Sequence, residues 1–394
     1  MRVYFDNAAT TAVDKRVLDA MLPYFTERFG NTSSIHSFGQ DAQQAVDEAR
    51  LMIANHLQAD SREVIFTSGA TESNNIAIWG VFNKYAKDKT LHFITSKIEH
   101  PSVLEVFKKI KKLGHDVTFL DVNEIGNISI EQLKQAVTDH TVLISVMYAN
   151  NEVGAVQPVA EIGKLVKQVR AQRSKESLPL FFHTDAVQAM NYLEVNVEEI
   201  GCDFLTFSGH KIYAPKGVGV LYVRRGVNVD SLVNGGHHEY NLRPGTLNTP
   251  AIVGLGKAVE LIKAEKEDNL SKVKSLKEKL FAGLREIPDA RFNGLSETQL
   301  PNLLHVSLLK AEGESILMML DIEGIAVSTG SACSSGALEP SHVLTAIGVP
   351  VEWTHGSVRI SLGKNNTEEE VVEFLRVFKP IVERLRQMAP DIKI

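Results

Sequence analysis

Cysteine is scarce in this 394-residue chain: only Cys202 and Cys333 occur. Two thiols cannot build a disulfide framework, and a reducing, cytoplasmic setting is expected. Long apolar runs are also missing, so no segment reads as a bilayer span. The opening Met1-Arg-Val-Tyr-Phe-Asp-Asn lacks the apolar stretch of a secretory signal. No basic tract offsets a net charge of −6, so neither nucleic acid nor an anionic membrane is an expected partner. No Gly-x-Gly-x-x-Gly opens the first strand–helix unit, and no Gly-Lys-Ser/Thr marks a nucleoside-triphosphate loop. His36, His183, His237 and His238 show no zinc-like spacing, so no metal is expected.

What is present is a repeated alternation of apolar strand, polar turn and helix. After a short strand at 2–5 and helical spacing over 40–57, the runs Val64–Phe66, Leu91–Ile94, Val117–Leu120, Val142–Met147, Leu180–Phe182, Phe204–Phe207 and Val218–Val223 follow. The pattern predicts an α/β fold with a mostly parallel sheet covered on both faces. Ligands of such sheets bind beyond the carboxyl ends of the strands. Thr71, His100, Asn151, Asp185 and Lys211 each follow a separate run, so all five are expected on one rim. Pro244, Gly245 and Pro250 break the pattern before a long amphipathic helix, which places a domain boundary at 250. A smaller domain then holds a strand at 303–308, a helix at 315–320 and a strand at 358–362. Thr367 and Glu370 form a capping box on the last helix.

Lys211 closes the run Phe204-Leu-Thr-Phe-Ser-Gly-His-Lys211 with an apolar wall behind it. Desolvation favours its neutral amine, the form that makes a Schiff base with a carbonyl. Gly69-Ala-Thr-Glu-Ser-Asn74 joins a strand to a helix, where free N–H groups suit an anion. Asp185, emerging from an apolar strand, needs a cationic partner such as a protonated ring nitrogen. Pyridoxal phosphate (PLP) requires such a set. Cys333 lies among small polar residues, Ser328-Thr-Gly-Ser-Ala-Cys-Ser-Ser-Gly336, which predicts an exposed loop and a nucleophilic thiol. Cys202, between Ile200 and Phe204, reads as packing.

Taken together, Ser208-Gly-His-Lys211 and Ser331-Ala-Cys-Ser-Ser335 closely resemble the cysteine desulfurases of the NifS/IscS-like group, fold-type-I PLP enzymes of the class V aminotransferase family. The likeness runs over nearly the whole chain. It implies a large PLP-binding domain at 14–250, with a smaller α+β domain formed by 1–13 and 251–394 that carries the Cys333 loop. It also implies conversion of L-cysteine to L-alanine, with sulfur passing to Cys333 as a persulfide for iron–sulfur cluster or other sulfur-containing products. By position, Lys211 matches the Schiff-base lysine and His100 the ring-stacking, proton-moving residue. Asp185 matches the partner of the pyridine nitrogen, and Gln188 that of the ring hydroxyl, with Asn151 nearby. Ala70, Thr71, Ser208 and His210 resemble the phosphate cup, to which Thr246 of Arg243-Pro-Gly-Thr246 adds a contact across a homodimer interface. Arg359, with Asn151, resembles the substrate-carboxylate clamp, where a bidentate guanidinium suits.

Other readings are a selenocysteine lyase or another PLP β-eliminase, and, in a different class, a catalytically silent sulfur-relay scaffold. The Cys333 loop argues against a simple eliminase, and intact Lys211, Asp185 and Arg359 argue against the scaffold. Three positions depart from the group: His237 stands for a third glycine, Thr32 for a proline, and the end of the chain lacks a Ser-Pro-Leu-Trp tail. A sulfur-acceptor protein is an expected partner, an iron–sulfur scaffold among the candidates.

Overall fold

The computed structural model describes residues 1–87, 89–174, 176–329 and 340–389. Its strands in chain order are β1 (Val3–Tyr4), β2 (Val64–Thr67), β3 (His92–Ser96), β4 (Asp116–Leu120), β5 (Thr141–Ser145), β6 (Phe181–Asp185), β7 (Phe204–Ser208), β8 (Gly219–Val223), β9 (Ala290–Phe292), β10 (Leu303–Leu308), β11 (Ile325–Ala326) and β12 (Ser357–Ser361). Seven of them form one sheet in the order β2-β8-β7-β6-β5-β3-β4. All pairings are parallel except those of β8, which runs antiparallel to β2 and β7. Every residue of β3, β5, β6, β7 and β8 is buried. Strands covered on both faces read as near-continuous apolar runs, which is why the sequence shows them so clearly.

The antiparallel strand keeps the rim in register. Gly219, at the start of β8, pairs with both Ser208, the end of β7, and Thr67, the end of β2. The carboxyl ends of the other strands therefore lie on the same side as the start of β8. Helices leave this side under local control. In the helix Pro101–Lys112, His100 is the N-cap, Pro101 occupies the first turn, and Lys109, Lys111 and Lys112 fill the last. Proline's missing N–H costs nothing there, and cations favour the C-terminal end. The helix Ala70–Tyr85 begins three residues earlier than the apolar spacing alone suggests. The capping box of Thr367 and Glu370 is formed.

The long helix runs unbroken from Thr249 to Leu284, with Pro250 in its first turn and Asn248 as its N-cap. Ala251, Ile252, Leu255, Val259 and Ile262 pack into the core of the large sheet. Val273, Leu276, Leu280 and Leu284 pack into a second core with Val306, Val358, Phe374 and Phe378. That second core lies against the antiparallel sheet β12-β10-β9 and includes Val3 and Phe5 from the start of the chain. β1 pairs in parallel with β11, and Phe5 contacts Phe374 at 5.6 Å. The N-terminal strand is thus shorter than the expected 2–5, yet its side chains bind it to the last third of the chain.

Candidate active site

The segment Asp6–Thr11 crosses the rim and ties its parts together. Lys211 Nζ donates to the carbonyls of Ala8 and Ala9, each at 2.5 Å. Gln188 Nε2 donates to the same Ala8 carbonyl at 3.1 Å. The His210 carbonyl accepts from the Thr11 backbone at 2.9 Å, and His210 Nδ1 meets Thr10 Oγ1 at 3.2 Å. Behind the lysine, Asn191 Nδ2 donates to the Lys211 carbonyl at 2.7 Å. The end of β7 is thereby fixed on both sides. Burial, then the neighbouring Lys211 charge, lowers His210 to about 4.

Asp185 ends β6 and is buried, although carboxylates rarely are without partners. Its Oδ1 accepts from the Val187 N–H at 3.0 Å and its Oδ2 from Asn74 Nδ2 at 2.8 Å. The same Asn74 amide donates to Ser102 Oγ at 2.9 Å, and that hydroxyl meets His100 Nδ1 at 2.8 Å. Asn74 therefore joins the buried carboxylate to the histidine. The Ser102 backbone N–H also donates to His100 Nδ1, at 3.1 Å. With Nδ1 accepting, the neutral ring carries its proton on Nε2. Burial lowers the His100 pKa, Asp185 opposes that shift and Lys211 adds to it, so the three groups share one field.

Gly69 precedes the helix Ala70–Tyr85 with φ of 152°, a conformation L side chains rarely adopt. A Cβ on Gly219 would approach the Gly69 Cα to 2.6 Å, so the two backbones touch where β2, β8 and β7 meet. Ser208 is buried beside this turn; Ala70 is half-buried and Thr71 exposed. Glu72, one residue on, pairs with Arg243 at 3.1 Å, which holds the segment leading to Thr246 near the helix start. Thr246 itself is exposed.

Arg359 comes from β12 and is buried. Its Nη1 donates to the Asn151 carbonyl at 3.0 Å, and its Nη2 to Asp6 Oδ1 at 2.8 Å. Asn150 shapes the Asn151 turn: its Oδ1 accepts from the backbone of Glu152 and Val153, each at 2.9 Å. Two buried carboxyls lie nearby. Burial pushes Glu99 up to about 8, and it accepts from Ser96 Oγ and from the Met147 N–H. Burial pushes Glu152 up to about 7, against the opposing hydrogen bond from Ser341 Oγ.

Cys333 lies outside the described residues, and so does the sequence expectation placed on it. The flanks of that segment are fixed: Ser328 exchanges backbone hydrogen bonds with Arg359. Ser341 donates to Glu152 at 2.5 Å, and His342 Nε2 meets the Glu99 carbonyl at 3.0 Å. Cys202 is fully buried, and burial raises its thiol far above the usual range, as expected for a packing cysteine. Among the described residues, no cluster of three or more His, Cys, Asp or Glu could hold a metal ion, and no helix is long and apolar enough to cross a membrane.

The structure thus joins Lys211, His100, Asp185, Gln188, His210, Asn151 and Arg359 through a few shared partners. Asp6, Asn74, Ser102, Glu99 and Glu152 were missed in the sequence. Asp6 had a usable signal, since it follows a strand as the five recognised residues do. His237 needs no glycine conformation: the positive φ values fall instead on Glu239, Tyr240 and Asn241.

The donor set fits PLP. Asp185 offers a buried carboxylate to a protonated ring nitrogen, the turn at Gly69 offers N–H groups to a phosphate, and Lys211 offers an amine to the aldehyde. A family model described as aminotransferase class-V matches residues 3–374. A protein named cysteine desulfurase IscS from Methanosarcina thermophila is 47% identical over 389 residues, covering 98% of this chain and 94% of that protein. A second protein of that name, from Dictyoglomus turgidum, is 46% identical over 390 residues, with 98% and 96% covered. A solved structure titled NifS-like protein superposes with a TM-score of 0.89 at 38% identity, over 98% of this chain and 99% of the other. Another, titled SspA in complex with cysteine, gives a TM-score of 0.81 at 36% identity, over 93% and 100%. A strand-end lysine, a buried strand-end carboxylate and full-length likeness agree: the chain belongs to the PLP-dependent class V aminotransferase family, in its NifS/IscS-like group.

Proposed function

We propose that this protein is a cysteine desulfurase that converts L-cysteine to L-alanine and carries the sulfur as a persulfide on Cys333. The observation that carries the reading is the Asp6–Thr11 crosspiece. It places an amine, Lys211, and a guanidinium, Arg359, on one short stretch of chain, as an amino-acid substrate with a carboxylate requires. Ala70, Thr71, Ser208 and His210 would hold the cofactor phosphate, with Thr246 reaching the phosphate of the neighbouring subunit, Asp185 would hold the ring nitrogen, and Gln188 and Asn151 the ring edge. Bound there, PLP supplies an electron sink for bond cleavage at the substrate α-carbon.

The remaining steps belong to the chain. Arg359 and Asn151 orient the substrate. The Asn74–Ser102 link holds the His100 ring, and the tautomer set by Ser102 leaves Nε2–H as a hydrogen-bond donor that orients the reacting groups. The Cys333 thiolate attacks the substrate sulfur. An S–S bond forms as the C–S bond breaks, its electron pair remains with the β-carbon, and a proton there completes alanine.

The protein works as a homodimer in this reading, with domains at 14–250 and at 1–13 plus 251–394. Support for the dimer comes from Leu22, Phe25, Phe29, Ile35, Phe38 and Leu51, large apolar side chains exposed along neighbouring elements. Exposed apolar surface of that kind marks an association site. We place the protein in the cytoplasm, delivering sulfur to an acceptor such as an iron–sulfur scaffold.

The test is direct. Borohydride reduction of the purified protein should attach the cofactor to the peptide holding Lys211. Cys333→Ala should still bind L-cysteine yet release little alanine and carry no persulfide. Normal alanine release by Cys333→Ala, or cofactor attached at Lys216, would sink the proposal.

A further inference from the structure

Arg359 is an unusual cation for a buried position, because its hydrogen bonding is incomplete among the described residues. Nη1 serves the Asn151 carbonyl and Nη2 serves Asp6. Nε is buried and has no hydrogen-bond partner among the described residues. A guanidinium kept out of water normally spends all its donors. An open Nε on a side chain that is 4% exposed is therefore a donor reserved for a ligand. The ligand must accept hydrogen bonds in the guanidinium plane, and a carboxylate does so best. Asp6 already supplies one carboxylate, and its side chain is 18% exposed beside the buried arginine.

We propose that Asp6 is an affinity-setting counter-ion of this clamp: by pairing with Arg359 in the resting protein, it weakens the hold on every ligand carboxylate that arrives. The inference rests on the reading of Arg359 as the carboxylate clamp. A carboxylate reaching Arg359 meets a neutral pair rather than a free cation, and leaves the cluster with one net negative charge. Without the Asp6 charge, the same ligand would neutralise the arginine outright. L-cysteine and L-alanine carry the same carboxylate, so a weaker clamp loosens substrate and product alike. Tight uniform binding lowers KM without raising kcat, and here it would also delay product release. Asp6 also belongs to the segment whose Ala8 and Ala9 carbonyls hold Lys211, so the clamp and the amine are set by one piece of backbone. Near the same guanidinium, Glu152 is engaged by Ser341 and the neighbouring-strand His305 by Asn293, so Asp6 is the ion-pair partner among the described residues.

The experiment compares L-alanine with L-alaninamide, which lacks the carboxylate charge, by calorimetric titration of the PLP-loaded protein. Asp6→Asn should tighten L-alanine binding by roughly tenfold, a shift of about 1.4 kcal/mol, while L-alaninamide moves less than twofold. Asp6→Glu keeps the charge and should keep the wild-type ratio of the two constants. Asp6→Ser removes the charge with a smaller side chain and serves if the amide variant fails to fold. A ratio that stays constant or narrows in the charge-removed protein overturns the role of Asp6. Arg359→Gln separates the two readings. If it leaves the ratio unchanged, Arg359 is not the clamp; if it collapses the ratio while Asp6→Asn does not widen it, only the Asp6 inference fails.

Discussion

Two buried arginines in this protein are paired in opposite ways. Arg50 faces Glu239 in a two-bond pair, Nη2 to Oε1 at 2.6 Å and Nη1 to Oε2 at 2.9 Å. Its Nη1 also reaches the Val64 carbonyl, and Glu239 Oε2 accepts from the Phe66 N–H at 2.7 Å. The guanidinium stacks 4.6 Å from the Phe66 ring and 5.7 Å from that of Tyr240. Arg359 has one carboxylate bond and an Nε with no partner among the described residues. Both arginines are out of water, so burial does not separate them; the number of carboxylate bonds does. A pair joined at both carboxylate oxygens and tied to the backbone on each side fixes a shape. The Arg50 pair holds Glu239, Tyr240 and Asn241 in left-handed backbone that non-glycine residues seldom adopt. A pair with an open donor suits the clamp role proposed for Arg359.

The contrast can be broken by measuring what each pair contributes to stability. Glu239→Gln leaves Arg50 buried without its counter-charge and should cost about 3–5 kcal/mol in denaturant unfolding. Asp6→Asn removes a more exposed carboxylate from a looser pair and should cost less, about 1–3 kcal/mol. Equal costs for the two substitutions would make both pairs structural and end the distinction.

Glu99 and Glu152 sharpen it from a third side, since they are buried carboxyls whose pKa values burial raises rather than lowers. Their values of about 8 and about 7 exceed that of an unfolded glutamate, about 4.3. The folded state therefore keeps protons that the unfolded state has released. Their stabilising effect is complete below the unfolded value and is lost as pH rises through 7 and 8. Glu99→Gln should flatten this decline, changing unfolding midpoints little near pH 4 and raising them relative to wild type toward pH 8. A variant as pH-sensitive as the parent would show that Glu99 is not the titrating group.

Features written in local sequence were legible from it. The buried strands, the turns that follow them and the capping box at Thr367 depend on period, burial and side-chain chemistry within a few residues. The same reading found Lys211, Asp185 and His100, because a polar group directly after an apolar run stands out. It did not find Asn74 as the link from Asp185 to His100, since an asparagine in the first turns of a helix looks like any other. The long helix shows the same limit. Its apolar spacing was readable on both halves, but that one unbroken rod enters two cores depends on which partners fold against it.

Asp6 marks the boundary most sharply. The sequence placed it in a polar turn and said nothing of Arg359, which stands 353 positions away in the chain. Lys211 is likewise 203 and 202 positions from the carbonyls that hold its amine. Local sequence determined that a lysine, an aspartate and an arginine would each end up at a strand end or in a strand. Which charges meet, and which donor stays open, was decided only when β1 paired with β11 and Phe5 packed on Phe374. Those contacts carry the first residues of the chain into the second core and lay Asp6–Thr11 across the rim. Pairing over such distances is set by register and burial, which belong to the assembled fold and not to any window of residues.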